Sequence, residues 1–155
     1  MLTSWLRDLR KVADAAQTSQ GRRKRVYVRI PAAAEQCWAM LGMSVKDWVD
    51  EEIVDGLIVL SSVKKQTPEQ PLVGMDQDLH LAPVVEMCHD TECRVLAGFT
   101  THLNRPQASE ATPPMIFAAA LNCWAQGVDG FGVCETKATL QCCFGLISPR
   151  QAKDG

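Results

Sequence analysis

Apolar residues at Leu2, Leu6, Leu9, Val12, Ala13 and Ala16 recur at helical spacing, with Arg7, Arg10, Lys11 and Asp14 on the other side. That pattern predicts an amphipathic first helix, ended by Gln20 and Gly21. The period then changes. Val26, Tyr27, Val28, Arg29 and Ile30 form a β-branched run closed by Pro31, which has no amide hydrogen to continue a ladder, and this predicts the first strand. A second helix runs through Cys37, Trp38 and Leu41, and another helical turn covers 45–49. Asp55 and Gly56 open the continuous apolar run Leu57, Ile58, Val59, Leu60, the kind expected of a parallel strand with helices on both faces. Ser61 and Ser62 end it.

Pro68, Pro71 and Gly74 make 64–74 a loop beyond a strand end. In 79–89, Leu81, Val84, Val85 and Cys88 share one helical face, and Pro83 fits if the first turn begins beside it. Residues 94–99 read as a third strand and 100–114 as a long polar connection of the kind that often carries function. A fourth helix, 114–126, is capped by Gly127 in the left-handed conformation, and 128–134 is the fourth strand. Val54-Asp55-Gly56 and Val128-Asp129-Gly130 repeat one local solution, each placed between a helix and an apolar run. Strand starts fall roughly 30 to 38 residues apart, the length of one strand-helix unit. Four units therefore occupy nearly all of the chain, whereas a complete eight-unit barrel needs about 250 residues. The expected fold is α/β: four strand-helix units on a parallel sheet, as a half TIM barrel or else a small doubly wound sheet. It would occupy 1–135, followed by a divergent tail at 136–155.

The chain has 155 residues, 46% apolar and 22% charged, which is ordinary usage for one globular domain. A net charge of -2 offers no general attraction to nucleic acid, and the basic run Arg22, Arg23, Lys24, Arg25 reads as a solvated loop leading into a strand. Arg7, Asp8, Arg10 and Lys11 interrupt the start, so it lacks the apolar core of a secretory signal. Residues 115–125 are too short to span a bilayer and contain Asn122, so no membrane association is expected. Seven cysteines, an odd number with no oxidising context, point to a reduced, cytoplasmic chain. Neither a phosphate loop nor a Gly-x-Ser-x-Gly elbow is present, and no cofactor is implied.

Several segments, taken in order, resemble bacterial glycosyl-hydrolase-like TIM-barrel proteins. They are Val28-Arg29-Ile30-Pro31, Cys37, Leu41-Gly42-Met43-Ser44-Val45 with Trp48, and Gly56-Leu57-Ile58-Val59. The likeness continues through Val84-Val85-Glu86, Cys93-Arg94-Val95-Leu96-Ala97-Gly98, Ala118-Ala119-Ala120-Leu121-Asn122 and Trp124-Ala125-Gln126-Gly127-Val128-Asp129-Gly130. Such proteins usually carry an acidic residue where Ser44 stands, and an earlier acidic strand that this chain lacks. The resemblance implies the C-terminal half of such a barrel, a fragment or decayed relative with carbohydrate binding or hydrolysis as its activity once missing strands are supplied. A carbohydrate ligand is the implied partner. The alternative is a non-catalytic α/β protein that self-associates through its open sheet edges.

In parallel α/β folds the ligand lies beyond the C-terminal ends of the strands, which sorts candidates by position before residue type. Arg29, Ser61, Ser62, Thr100, Thr101, His102 and Glu135 are the residues expected at or just past those ends. Glycoside hydrolysis uses two carboxyl groups, and Glu135 is the candidate catalytic one. Arg29, a charge inside an apolar strand, is expected to be buried and to need acceptors from a ligand or an ion pair. His102 could act as acid, base or sugar donor. Asp55 and Asp129 open their strands at the opposite end and read as turn formers. Cys88, His89 and Cys93 fall short of the four ligands of a structural zinc site, so no metal is expected.

Overall fold

The computed structural model describes residues 2–22, 24–32, 35–61, 79–100, 102–103, 109–110 and 112–134. Ser62, Thr101, Glu135, the loop at 64–74 and the tail at 136–155 lie outside them. In chain order the elements are α1 (Leu2–Gln20), β1 (Tyr27–Ala32), α2 (Glu35–Met40), α3 (Val45–Asp50), β2 (Gly56–Ser61), α4 (Ala82–Cys88), β3 (Arg94–Thr100), β4 (His102–Leu103), β5 (Ser109–Glu110), α5 (Pro113–Trp124) and β6 (Gly130–Cys134). Gly21 and Gly127 close α1 and α5 at φ 65° and 90°, where a side chain would be strained. Pro83 stands in the first turn of α4, where its missing N–H costs nothing. Pro31, expected to end the first strand, lies inside β1; an edge strand tolerates it because one side of its backbone has no ladder to complete.

β1, β2, β3 and β6 form one four-stranded, all-parallel sheet in that spatial order. Right-handed crossovers that all step in the same direction carry every connecting helix to the same side of a sheet. The packing follows suit. One core cluster joins Leu6 and Ala13 of α1, Trp38 of α2, Val45, Trp48 and Val49 of α3, Val84 and Cys88 of α4, and Ala119 and Cys123 of α5 to Ile30, Leu57, Val59, Val95, Ala97 and Phe99 of the strands. Ile58 and Leu96, the alternate residues of β2 and β3, are buried but lie outside that cluster, on the other face. The expectation of helices on both faces of β2 is therefore corrected: the described helices share one face. A doubly wound sheet would need a reversal of strand order, and the described strands have none.

Two tryptophans fasten helices to this frame. Trp48 is fully buried and donates from Nε1 to Thr3 Oγ1 at 2.9 Å, tying α3 to α1, and Trp38 Nε1 donates to the Pro31 carbonyl at 2.9 Å. Gln126, just past α5, accepts from Leu81 N–H and donates to the Leu79 carbonyl, holding the approach to α4. On α1 only Leu6 and Ala13 are buried, while Leu9 and Val12, expected on its inner face, are exposed. The stripe that α1 buries is narrower than its apolar pattern provides.

Candidate functional site

Parallel pairing brings the C-terminal ends of all four strands to one rim. Ala32 is the register partner of Ser61, and Thr100 that of Cys134. Ser61 and Thr100 thus terminate neighbouring strands at the expected pole. His102 follows directly in β4, which pairs antiparallel with β5 so that His102 faces Glu110 and Leu103 faces Ser109. This two-stranded hairpin lies within the long polar connection expected after β3. Glu110 is the residue that sequence reasoning passed over: nothing local marks it, and only the hairpin register makes it the backbone partner of His102. Of the other candidates, Ser62, Thr101 and Glu135 lie outside the described residues.

Arg29 departs from expectation twice. It occupies the third position of β1, opposite Ile58, rather than the strand end, and it is exposed rather than buried. The cause is the edge position of β1: with no strand on its outer side, the guanidinium reaches water. Its register row, Arg29, Ile58, Leu96, Gly130, lies on the face away from the helical core, as does Leu60, Gly98, Gly132. By alternation Thr100 and Cys134 are backbone positions of this face, as Arg29 is, and Ser61 is a backbone position of the helix-covered face. Three glycines, Gly98, Gly130 and Gly132, share this face. A Cβ on Gly98 would collide with the Leu60 side chain, so the two strands approach closely there.

The opposite pole is built from the repeated Val-Asp-Gly. Asp55 donates from its N–H to the Val26 carbonyl at 2.8 Å and accepts the Val26 N–H on its carboxylate at 2.6 Å. Asp129 does the same with Val95, at 2.8 and 2.9 Å. Each aspartate, one residue before its own strand, clips that strand's start to the backbone at the start of the neighbouring one. Asp55 carries more. Its carboxylate pairs with Arg10 Nη1 at 2.7 Å, with both side chains almost wholly covered, and its carbonyl accepts from Arg94 N–H at 3.1 Å. Burial works to lower the Arg10 pKa, but hydrogen bonds from Asp14 and Asp55 outweigh it and raise the pKa above its ordinary value. Arg10 also reaches the Lys24 carbonyl at 2.9 Å.

A cavity of about 290 Å³ opens beside Asp129, between the end of α4 and the start of β3, and includes Cys88, His89, Glu92, Cys93 and Arg94 in its wall. Among the described residues no three His, Cys, Asp or Glu side chains converge as a metal-binding group. No helix among them is long and apolar enough to cross a membrane. No family model matches the chain, and no curated protein matches it in sequence. The fold thus defines the class: a mixed α/β protein whose four-stranded, all-parallel sheet alternates with helices.

Proposed function

We propose that this chain is a half-barrel carbohydrate-binding module whose open sheet is completed by further parallel strands. The observation that supports it most is the one-directional order β1-β2-β3-β6 with the described helices in a single core, the layering of half a TIM barrel. Arg29 on the face away from that core, with Thr100 and His102 toward the rim, supplies donors of the kind a hydroxyl-rich ligand accepts. The sequence resemblance to glycosyl-hydrolase-like barrels names the ligand class. Hydrolysis would further require two carboxyl groups flanking the scissile bond, and Glu110 and Glu135, on the chain beyond β3 and β6, are the pair to test. Glycan binding measured by calorimetry is expected to weaken at least about tenfold in Arg29→Ala, the loss of one charge-assisted contact. E110Q and E135Q should abolish any turnover while retaining binding. A protein that binds no glycan in any oligomeric state refutes this reading.

A second reading, a non-catalytic protein that self-associates through its edges, is favoured by a separate observation. Trp5, Leu9 and Val12 on α1, and Phe117, Leu121 and Trp124 on α5, are exposed apolar stripes on the first and last helices. Because β1 and β6 run parallel, β1 of one copy can continue the sheet beyond β6 of another, and two copies would close eight strands. Light scattering should then give twice the 17.0 kDa chain mass, and V12K with L121K should give a monomer. A wild-type protein that stays monomeric at high concentration rules this reading out.

A further inference from the structure

We propose that Cys88 and Cys93 are a peroxide-reactive dithiol that closes to a reversible disulfide at the pole opposite the rim. Cys88 is the last residue of α4 and Cys93 directly precedes β3, and both form part of the wall of the 290 Å³ cavity described above. They are 5% and 7% exposed, and the cavity wall they share offers a reagent a way in. The turn between them is pinned at both ends. Thr91 donates from N–H and Oγ1 to the Cys88 carbonyl, at 3.1 and 2.9 Å, and its Oγ1 accepts the Cys93 N–H at 3.1 Å. That bracing keeps the two thiols near enough to perturb each other's ionisation. Two other cysteines differ: Cys37 is exposed on α2, and Cys123 is sealed in the core.

Roles follow from how the two thiols perturb each other. Interaction with Cys93 holds the Cys88 thiol below its ordinary range, against burial and the nearby Asp129 carboxylate. The same interaction, with burial, pushes Cys93 above the usual thiol range. Cys88 is therefore the attacking thiolate. Its sulfur attacks one oxygen of hydrogen peroxide, the O–O bond breaks, and Cys88 becomes a sulfenic acid as the other oxygen leaves as water after taking up a proton. The Cys93 sulfur then attacks the Cys88 sulfur, expels the sulfenic oxygen as a second water, and the S–S bond forms. In sum, two thiols and one peroxide give one disulfide and two waters. A small-molecule dithiol reverses the step by exchange, becoming a disulfide itself. The cavity is roomy for peroxide, since a water's share of liquid volume is about 30 Å³.

The test treats the reduced full-length chain with limiting hydrogen peroxide, blocks remaining thiols with N-ethylmaleimide and maps the peptides. No Lys or Arg separates residues 88 and 93, so both fall in one tryptic peptide. The bridge is read there as the loss of two hydrogens with neither cysteine alkylated. Cleavage after Glu92 then adds one water to the bridged peptide instead of splitting it. The bridge is expected to accumulate at least about tenfold faster than any oxidation of Cys37, and dithiothreitol should erase it. C93S should stop at a Cys88 sulfenic acid that dimedone traps, and C88S should form no bridge. Oxidation of Cys37 while Cys88 and Cys93 stay alkylatable overturns the proposal, as does a predominant bridge from either residue to a different cysteine. The wild-type map decides even if a serine variant fails to fold.

Discussion

Replacing Asp55 by alanine removes one carboxylate oxygen that serves two partners, Arg10 Nη1 at 2.7 Å and the Val26 N–H at 2.6 Å. The Arg10 and Asp55 side chains are only 12% and 9% exposed, so water replaces neither contact well. Breaking a buried pair by removing one partner costs about 3–5 kcal/mol. Arg10 keeps Asp14 and the Lys24 carbonyl, which places the loss at the lower end, about 3 kcal/mol. Asp129 is the internal control. Its carboxylate clips Val95 with the same geometry, and D129A leaves a buried backbone donor unsatisfied, a cost of about 1.5 kcal/mol. Urea denaturation followed by circular dichroism should show D55A losing about twice as much as D129A, with a midpoint shift of about 1–2 M. D55N should fall between wild type and D55A, since its amide oxygen still accepts from Val26 but carries no charge. A double-mutant cycle of R10A with D55A should give a coupling energy of at least about 1 kcal/mol. If D55A costs no more than D129A, or the coupling vanishes, the pair at this pole adds nothing to the clip and the reasoning fails.

Other residues allow sharper contrasts. The Tyr27 hydroxyl is buried without a hydrogen-bond partner among the described residues, so Tyr27→Phe should leave thermal stability unchanged or raise it by up to about 1 kcal/mol; a clear loss would reveal a partner. A Cβ on Gly56 would lie 2.5 Å from the Tyr27 ring and 2.9 Å from the Arg94 carbonyl oxygen, which is backbone and cannot yield. G56A should therefore cost about 2 kcal/mol, and G98A less because only side chains need move, with denaturant midpoints checking the order. Glu51 is held below the usual carboxylate range by its hydrogen bonds from Arg7. A depressed folded-state pKa contributes stability above the ordinary carboxylate range and loses it as pH falls through the folded value. The stability gap between wild type and E51Q should therefore close on acidification, and also on adding salt, because the pair is exposed.

Much of this molecule is legible along the chain because period and punctuation are local. The β-branched run at Val26, the apolar run after Gly56, Pro83 in a first turn and Gly127 past α5 each act through neighbouring backbone, and they placed the helices and the four sheet strands. The repeated Val-Asp-Gly even announced equivalent strand starts, although only pairing revealed that each aspartate grips the adjacent strand. Side-chain environment is another matter, because it depends on which strand is a neighbour and which face is covered. Arg29 is exposed on an edge strand of the described sheet, and Leu9 and Val12 are exposed on α1; neither fact is written in their periodicity. His102 meets Glu110 through the register of a hairpin whose strands are two residues long, too short to leave a pattern. Cys88 and Cys93 meet because a helix ends and a strand begins around a turn braced by Thr91. The sequence by itself determined the elements and their parallel α/β class through local backbone preference and burial period. Tertiary structure alone decided the shared helical face, the open surface and the pairing of distant groups, since those arise from contacts between residues that no local preference couples.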